Sequence, residues 1–166
     1  MKPFSSSSVF GRAVLSLIKN YNHDKYWRRR AIVVDPLNGV STLVKLWYLL
    51  YIKRTDAYHG CSFGTNLNAG AFFSGAPLLP HGLAGIFVGH DVKIGKNVVI
   101  FQQVTIAHGG GRIEDNALLG AGCKILSGRN VGFFAKVGAN CVVIEDVPDN
   151  ATAVMPRPRI ILRVVN

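Results

Sequence analysis

Apolar positions recur at an unusual period in the second half of the chain. From Val88 onward an aliphatic residue occupies every sixth position, and after one extra residue near His108 the series resumes at Ile113. The positions in this register are Val88, Ile94, Ile100, Ile106, Ile113, Leu119, Ile125, Val131, Val137 and Val143. An α-helix repeats near 3.6 residues and a strand near 2, so a period of six belongs to neither element alone.

A period of six with small or β-branched residues at the fifth position predicts a parallel β-solenoid. Each stretch of six forms a short strand and a tight corner, and three such sides complete one coil of about 18 residues. Coils stack about 4.8 Å apart through main-chain hydrogen bonds, so residues one coil apart lie above each other. The spacing therefore predicts that Cys123 stacks on Cys141 as core thiols, and that His90 and His108 share one outer face.

The six-residue pattern is weaker at the two ends of the periodic region. Upstream, the six-residue step is kept by Leu67, Phe73 and Leu79. Extra residues between positions 82 and 87 break the phase by three, and Pro148 is expected to end the repeat. We therefore predict a helical N-terminal segment at residues 1–56, a β-helix at 57–148 and a C-terminal tail at 149–166.

The N-terminal segment has a different pattern, with only two of the eighteen glycines. It predicts one helix from about Ser8 to Arg30, a turn at residues 35–39, and a second helix from about Thr42 to Arg54 with Ser41 as its N-cap. The most apolar run, residues 46–52, is seven residues long, whereas a membrane-spanning helix needs about 20.

Composition narrows the class of protein. The chain has 166 residues, of which 49% are hydrophobic and 17% charged, which excludes an intrinsically disordered chain and indicates one domain. Its three cysteines are an odd number, scattered without CxxC spacing, so they indicate neither a disulfide framework nor a zinc site. A reducing, cytoplasmic location is therefore favoured.

Charge adds a preference for anionic partners. The net charge is +10 at pH 7, and residues 1–56 carry ten Lys and Arg against three acids. Nucleic acid, a membrane surface and a phosphorylated small molecule all fit this charge. The basic and aromatic N-terminal segment leaves open a peripheral membrane contact.

Four segments resemble bacterial hexapeptide-repeat acetyltransferases, in the serine acetyltransferase-like branch that includes O-acetyltransferases of surface polysaccharides. They are residues 79–86 (LPHGLAGI), 94–98 (IGKNV), 100–106 (IFQQVTI) and 119–126 (LGAGCKIL). The resemblance covers roughly residues 56–160. It implies a left-handed parallel β-helix of triangular section behind a short α-helical segment, a homotrimer, acetyl-CoA bound between adjacent subunits, and a catalytic histidine.

The resemblance also implies site residues. His81 matches the catalytic histidine, which takes the proton of the acceptor hydroxyl as a general base and then protonates the leaving thiolate. Fifteen positions earlier, where serine acetyltransferases carry an aspartate, this chain has Asn66, which can accept an imidazole N–H but brings no charge. His108, which opens a Gly-Gly-Gly insertion, is a candidate to line the acceptor or thioester site.

Coenzyme A is long and polyanionic, and in this family its pantetheine arm runs along solenoid backbone where small residues permit close approach. The matching positions are Gly120, Ala121, Gly122, Gly138 and Ala139. The candidate cations for the phosphates are Lys124, Lys136, Arg157 and Arg159. No metal is expected.

The predicted function is acetyl-CoA-dependent O-acetylation of a sugar hydroxyl in a surface polysaccharide or its precursor, without a covalent enzyme intermediate. One alternative is serine as the acceptor, with Arg112 as the basic residue nearest His108. A second is a zinc-dependent hydratase, which needs three converging histidines, and the spacings of nine and eighteen offer no close pair. A third is a non-catalytic basic solenoid that binds membrane or nucleic acid, although no nucleic-acid partner is expected.

Overall fold

The computed structural model of the protein describes residues 21–157 and 159–161. The predicted start of the first helix at Ser8 lies outside these residues. Helix α1 spans His23–Val34, and Asn22 caps it by accepting a hydrogen bond from the Lys25 N–H at 2.9 Å. The helix therefore continues one turn beyond the predicted end at Arg30.

Helix α2 spans Thr42–His59 and is five residues longer than predicted. It ends at Gly60, whose positive φ of 57° suits a residue without a Cβ atom. Ser41 occupies the N-cap position as predicted, but its side chain makes no capping hydrogen bond. Neither of the described helices is both long and apolar enough to cross a membrane.

The remaining chain is a parallel β-solenoid of about four coils, which matches a left-handed β-helix. The first two strands form a separate antiparallel hairpin, β1 (Thr65–Asn66) with β2 (Ala69–Gly70). Three parallel sheets form the faces of the solenoid. The first face contains β4 (Phe87–Val88), β7 (Thr105–Ile106), β10 (Lys124–Ile125) and β12 (Val142–Val143). The second contains β3 (Phe72–Phe73), β5 (Lys93–Ile94) and β8 (Arg112–Ile113). The third contains β6 (Val99–Ile100), β9 (Leu118–Leu119), β11 (Lys136–Val137) and β13 (Thr152–Ala153).

The six-residue register defines the core as predicted. Every aliphatic position of the series from Val88 to Val143 is buried, and so are the small residues at the fifth positions. Phe87 pairs with Thr105 eighteen positions on, whereas Thr105 pairs with Lys124 nineteen positions on, because the glycine insertion adds one residue. One aliphatic per side therefore fills the axis of the coil.

The cysteines behave as core thiols. Cys61, Cys123 and Cys141 are all free and buried, and the Lys124 N–H donates to the Cys141 carbonyl at 2.9 Å, as expected for residues one coil apart. Burial raises the pKa of the Cys123 thiol to about 12, so this side chain stays protonated and unreactive at neutral pH.

The borders of the solenoid differ from the prediction in two places. Leu67 lies in the turn of the hairpin β1–β2 and not on a coil face, whereas Phe73 pairs with Ile94 twenty-one positions on, which confirms the three extra residues. At the other end, β13 pairs with β11, so one more side of the solenoid follows Pro148. Proline has no amide hydrogen to donate to a strand partner, but a corner position does not require one. Pro148 therefore does not end the stack.

A buried arginine joins α1 to the start of the solenoid. The Arg30 guanidinium donates to Thr65 Oγ1 at 3.0 Å and to the carbonyl oxygens of Phe63 and Ala71 at 2.8 and 2.7 Å. Its planar face also lies over the Phe73 ring at 4.5 Å. Burial lowers the pKa of Arg30 to about 10, which leaves it charged at neutral pH. The guanidinium satisfies two backbone carbonyls that no strand partner reaches.

We expect Arg30→Ala to lower the free energy of unfolding by about 3 kcal/mol, because it leaves buried acceptors without a donor. Arg30→Lys keeps the charge but not the forked geometry, so its loss should be intermediate. The measurement is urea unfolding at fixed protein concentration. Arg28→Ala, an exposed change on the same helix, is the control and should stay within about 0.5 kcal/mol of wild type. Equal losses for the two alanine variants would contradict this role.

Candidate active site

His81 lies on an irregular loop, residues 79–86, that connects the third face to the first. Leu83 and Ile86 bury their side chains in the core, and the Ala84 carbonyl accepts the Gln103 N–H at 2.9 Å. The loop is therefore fixed directly after its exposed tip, which carries His81.

The imidazole of His81 has a defined partner. Its Nδ1 lies 2.6 Å from Gln102 Oε1, and the ring meets Phe101 edge to face at a centroid distance of 5.5 Å. When Nδ1–H donates to the amide oxygen, Nε2 keeps its lone pair and faces solvent. This arrangement gives a ring that is held in place with its basic nitrogen available.

Gln102 is a functional candidate that the sequence analysis missed. Within the chain it takes the place that was predicted for Asn66 as the partner of the histidine. It belongs to the IFQQVTI segment, but it is 21 residues from His81, and the irregular loop lies between them. A fixed coil spacing therefore does not reveal this pair.

Below His81, one edge of the solenoid consists of residues 101–103, 120–122 and 138–140. We call it the glycine corner, because small residues predominate in its last two segments. The Gly122 N–H donates to the Gln102 carbonyl at 3.0 Å, and the Asn140 N–H donates to the Ala121 carbonyl at 2.8 Å. The predicted coenzyme A positions, Gly120, Ala121, Gly122, Gly138 and Ala139, thus lie in one column under the predicted catalytic histidine.

The backbone at the top of this column has no room for a side chain. A Cβ atom on Gly120 would lie 2.7 Å from the Val137 carbonyl oxygen and 2.8 Å from the Ala139 nitrogen. One coil further on, a Cβ on Gly138 would have its nearest contact at 3.3 Å. Close stacking therefore requires glycine at 120 but not at 138.

Of the predicted phosphate-binding cations, Lys124 contacts this edge. Lys124 Nζ donates to the Gln103 carbonyl and to Thr105 Oγ1, both at 3.1 Å, so its ammonium lies beside the glycine corner. Lys136 is exposed on β11 of the third face. Arg157 and Arg159 are exposed in the tail beyond β13.

Asn66 and His108 lie elsewhere, at what we call the histidine corner: residues 89–91 and 107–110, between the first and second faces. They line a cleft of about 320 Å³ together with His90 and Lys53, and His81 is absent from its lining. Lys53 is a second residue that sequence analysis missed, because nothing in the helix pattern shows which side of α2 borders the solenoid.

The two histidines of this corner stack as predicted. The ring centroids of His90 and His108 are 4.6 Å apart, and His108 Nδ1 accepts the His90 N–H at 3.3 Å. The expectation of no close histidine pair was therefore wrong, since a spacing of eighteen is one coil. His90, Asp91 and His108 each offer a metal-ligand atom within 4.8 Å of the others, but the third ligand is a carboxylate and not the third histidine of a hydratase.

Asp91 also shapes the glycine insertion. Its Oδ2 accepts the N–H groups of Gly109 and Gly110 at 2.8 and 3.1 Å, and the bond from Gly109 is the main reason that the pKa of Asp91 lies below its usual value. The carboxylate therefore holds the loop that follows His108 against the preceding coil.

A larger cleft of about 500 Å³ lies between α1 and the strands β2 and β3. Trp27, Phe72 and Phe73 are among its lining residues, and it contains none of the predicted site residues. Size alone therefore does not identify the site in this chain.

Several solved structures with this architecture are serine acetyltransferases. A truncated serine acetyltransferase apoenzyme matches with 31% identity and a TM-score of 0.56, over 68% of this chain and 51% of the other. The Neisseria gonorrhoeae serine acetyltransferase in complex with serine matches with 28% identity and a TM-score of 0.54, over 68% and 48%. The fold thus matches a left-handed β-helix with a short helical segment before it.

The sequence relatives are also serine acetyltransferases. The serine acetyltransferase of Bacillus licheniformis is 36% identical over 107 residues, which is 60% of this chain and 49% of the relative. That of Bacillus subtilis is 35% identical over the same length. The chain spans about half the length of these relatives, and no protein-family model matches it. The likeness supports the acetyltransferase resemblance but not its polysaccharide branch.

We expect Gly120→Ala to lower the free energy of unfolding by about 1 to 3 kcal/mol, because the new methyl group overlaps backbone atoms of the next coil. Gly138→Ala, the same change one coil further along the glycine corner, should cost less than about 1 kcal/mol. Thermal unfolding of both variants provides the comparison. Equal losses of unfolding free energy at the two positions would show that the next coil does not exclude a side chain at Gly120.

Proposed function

We propose that this protein is an acetyl-CoA-dependent O-acetyltransferase that works as a homotrimer. The observation that carries the proposal is the column in which His81, hydrogen-bonded to Gln102, lies above the small residues of the glycine corner. An oriented imidazole beside exposed backbone is what acetyl transfer from a long thioester requires.

The chemistry needs one proton carrier. Nε2 of His81 removes the proton from the acceptor hydroxyl as its oxygen attacks the thioester carbonyl carbon. The tetrahedral intermediate then collapses and breaks the carbon–sulfur bond, and the imidazolium returns the proton to the leaving thiolate. The products are the acetyl ester and free coenzyme A. The described thiols are buried, so none is available as a competing nucleophile.

The glycine corner is the proposed track for the pantetheine arm. Gly122 and Gly138 are half-buried and leave backbone accessible to a narrow ligand, whereas Gly120 is buried and lets the next coil stack closely. Lys124 borders the track, and Lys136, Arg157 and Arg159 supply further positive charge for the phosphates. No metal takes part in the proposed reaction.

Serine is the favoured acceptor, in place of the sugar hydroxyl predicted first, because the matched relatives and structures are serine acetyltransferases. Lys53 in the cleft offers a cation for a carboxylate. Arg112 lines a different cleft beside Lys93, so it is a poor candidate for that task. A sugar acceptor remains the second candidate, since the exposed ring of Phe87 at the cleft gives a sugar a flat apolar surface on which to stack.

The trimer completes the site in this proposal. His81 lies at the glycine corner, and the cleft with Asn66, His108 and Lys53 lies at the histidine corner. Within one chain, the first face of the solenoid lies between these two corners. A ring of three copies can bring the glycine corner of one protomer against the histidine corner of its neighbour. The acceptor cleft of one chain then faces the histidine of the next.

We expect His81→Ala to lower kcat by about 10²- to 10⁴-fold with little change in coenzyme A affinity, because it removes the base but not the binding track. Release of free thiol from acetyl-CoA is measured with serine, simple sugars, nucleotide sugars and glycan fragments. Turnover with serine alone supports the favoured acceptor, and turnover with sugars alone supports the second. Near-normal turnover in the variant would remove His81 from the mechanism.

The shared site is tested by co-expressing two inactive variants. His81→Ala lacks the base, and Asn66→Arg fills the cleft with a long cationic side chain. If each site combines His81 of one protomer with the cleft of its neighbour, one interface in each mixed trimer is intact, and random assembly restores about a quarter of wild-type activity. Mixed trimers that are confirmed by mass but stay inactive would place the whole site in one chain.

A further inference from the structure

Helix α2 carries an exposed apolar stripe that the catalytic proposal does not use. Leu43, Leu46, Trp47 and Leu50 are spaced like successive positions on one face of a helix. Their side chains are 80%, 44%, 67% and 51% exposed, respectively. Exposed apolar residues are ordinary when scattered, but a contiguous stripe of large side chains indicates an interaction surface.

Cations border this stripe at Trp47 and Leu50. A shallow cleft of about 300 Å³ is lined by Lys25, Arg29, Trp47, Leu50, Tyr51 and Arg54, with no acidic residue among them. The Arg29 guanidinium lies over the rings of Tyr48 and Tyr51 at 4.9 and 4.5 Å. Helix α1 therefore places its positive charge against the aromatic side of α2.

The balance of charge on this surface is one-sided. Among residues 21–60, the cations outside the core are Lys25, Arg28, Arg29 and Arg54, apart from Lys53, which lines the cleft at the histidine corner. The acids outside the core are Asp24 and Asp35, at the two ends of α1, because Asp56 is buried beside Tyr26. An apolar stripe with Trp and a basic rim is the composition of a helix that lies in a lipid interface.

We propose that this surface, the α2 stripe with its basic rim, binds an anionic membrane peripherally. The partner is a lipid bilayer and not a second copy of the chain, because a symmetric contact between two copies would bring the same cations together. A negatively charged bilayer matches both features at once: its headgroups attract the rim, and its interface accepts Leu43, Leu46, Trp47 and Leu50.

Vesicle flotation with the full chain tests the proposal. Phosphatidylcholine vesicles are compared with vesicles containing about 30% phosphatidylglycerol, a fraction chosen to give a strongly negative surface. We expect binding to the anionic vesicles alone, weakened by raising the salt from 0.05 to about 0.5 M as screening grows. Wild-type protein that fails to float with anionic vesicles at low salt would overturn the proposal.

Two double variants separate the apolar and basic contributions. Leu43→Ser with Trp47→Ser removes the exposed apolar groups, and Lys25→Gln with Arg54→Gln removes two cations of the rim. Each should weaken the apparent vesicle affinity by about tenfold or more. The matched control, Lys93→Gln with Lys96→Gln, removes the same charge from the solenoid and should change binding by less than about threefold.

Equal losses in the rim variant and the control would reduce the effect to net charge and overturn the proposed surface. Light scattering without lipid tests whether a second copy of the chain occupies the stripe instead. A mass above that of a trimer, which falls to a trimer in the Leu43→Ser, Trp47→Ser variant, would assign the stripe to contacts between copies and overturn the proposal. Acetyl transfer in solution is measured for every variant, so a failure of membrane binding and a failure of the proposed function are scored separately.

Discussion

The main-chain ladder between successive coils is the constraint on which the rest of the structure depends. One buried aliphatic on each six-residue side fills the axis, and the backbone of each coil then pairs with the coils before and after it. Because pairing repeats every eighteen residues, side chains at the corners align in columns. The extra residue of the glycine insertion changes three spacings to nineteen, one on each face, without breaking the ladder, since it is accommodated at a corner and not in a strand.

Periodicity in the sequence is sufficient to predict the solenoid, because each coil packs only against the coils before and after it. The register from Val88 to Val143 predicted which residues are buried and that His90 stacks on His108. It failed where the chain departs from the repeat. The hairpin at Leu67, the last side after Pro148 and the longer helices depend on packing and capping that a period does not describe. The contacts of Arg30 with Thr65 and Ala71 join residues 35 and 41 positions apart, and no local pattern indicates them.

The candidate site was partly predictable for the same reason. Residues 120–122 and 138–139 lie in one column because they are one coil apart, whereas the pairing of His81 with Gln102 depends on an irregular loop anchored by Leu83 and Ile86. Asn66 is fifteen residues from His81 in the sequence but borders a cleft whose lining does not include that histidine. A family resemblance can transfer the sequence spacing between two residues. Whether the two side chains meet within one protomer depends on how the chain folds between them.

Positive charge is divided between two regions that have different geometry. At the glycine corner, Lys124 is tethered to main-chain and side-chain oxygens on the coil above, which suits recognition of one ligand in one orientation. On the helices, Lys25 and Arg29 lie over aromatic rings beside exposed leucines, without a fixed oxygen partner among their described contacts. Such cations match a surface whose anions are mobile, as lipid headgroups are. The overall charge of +10 therefore does not describe one uniform surface, because the cations of the solenoid and those of the helices are held in different ways.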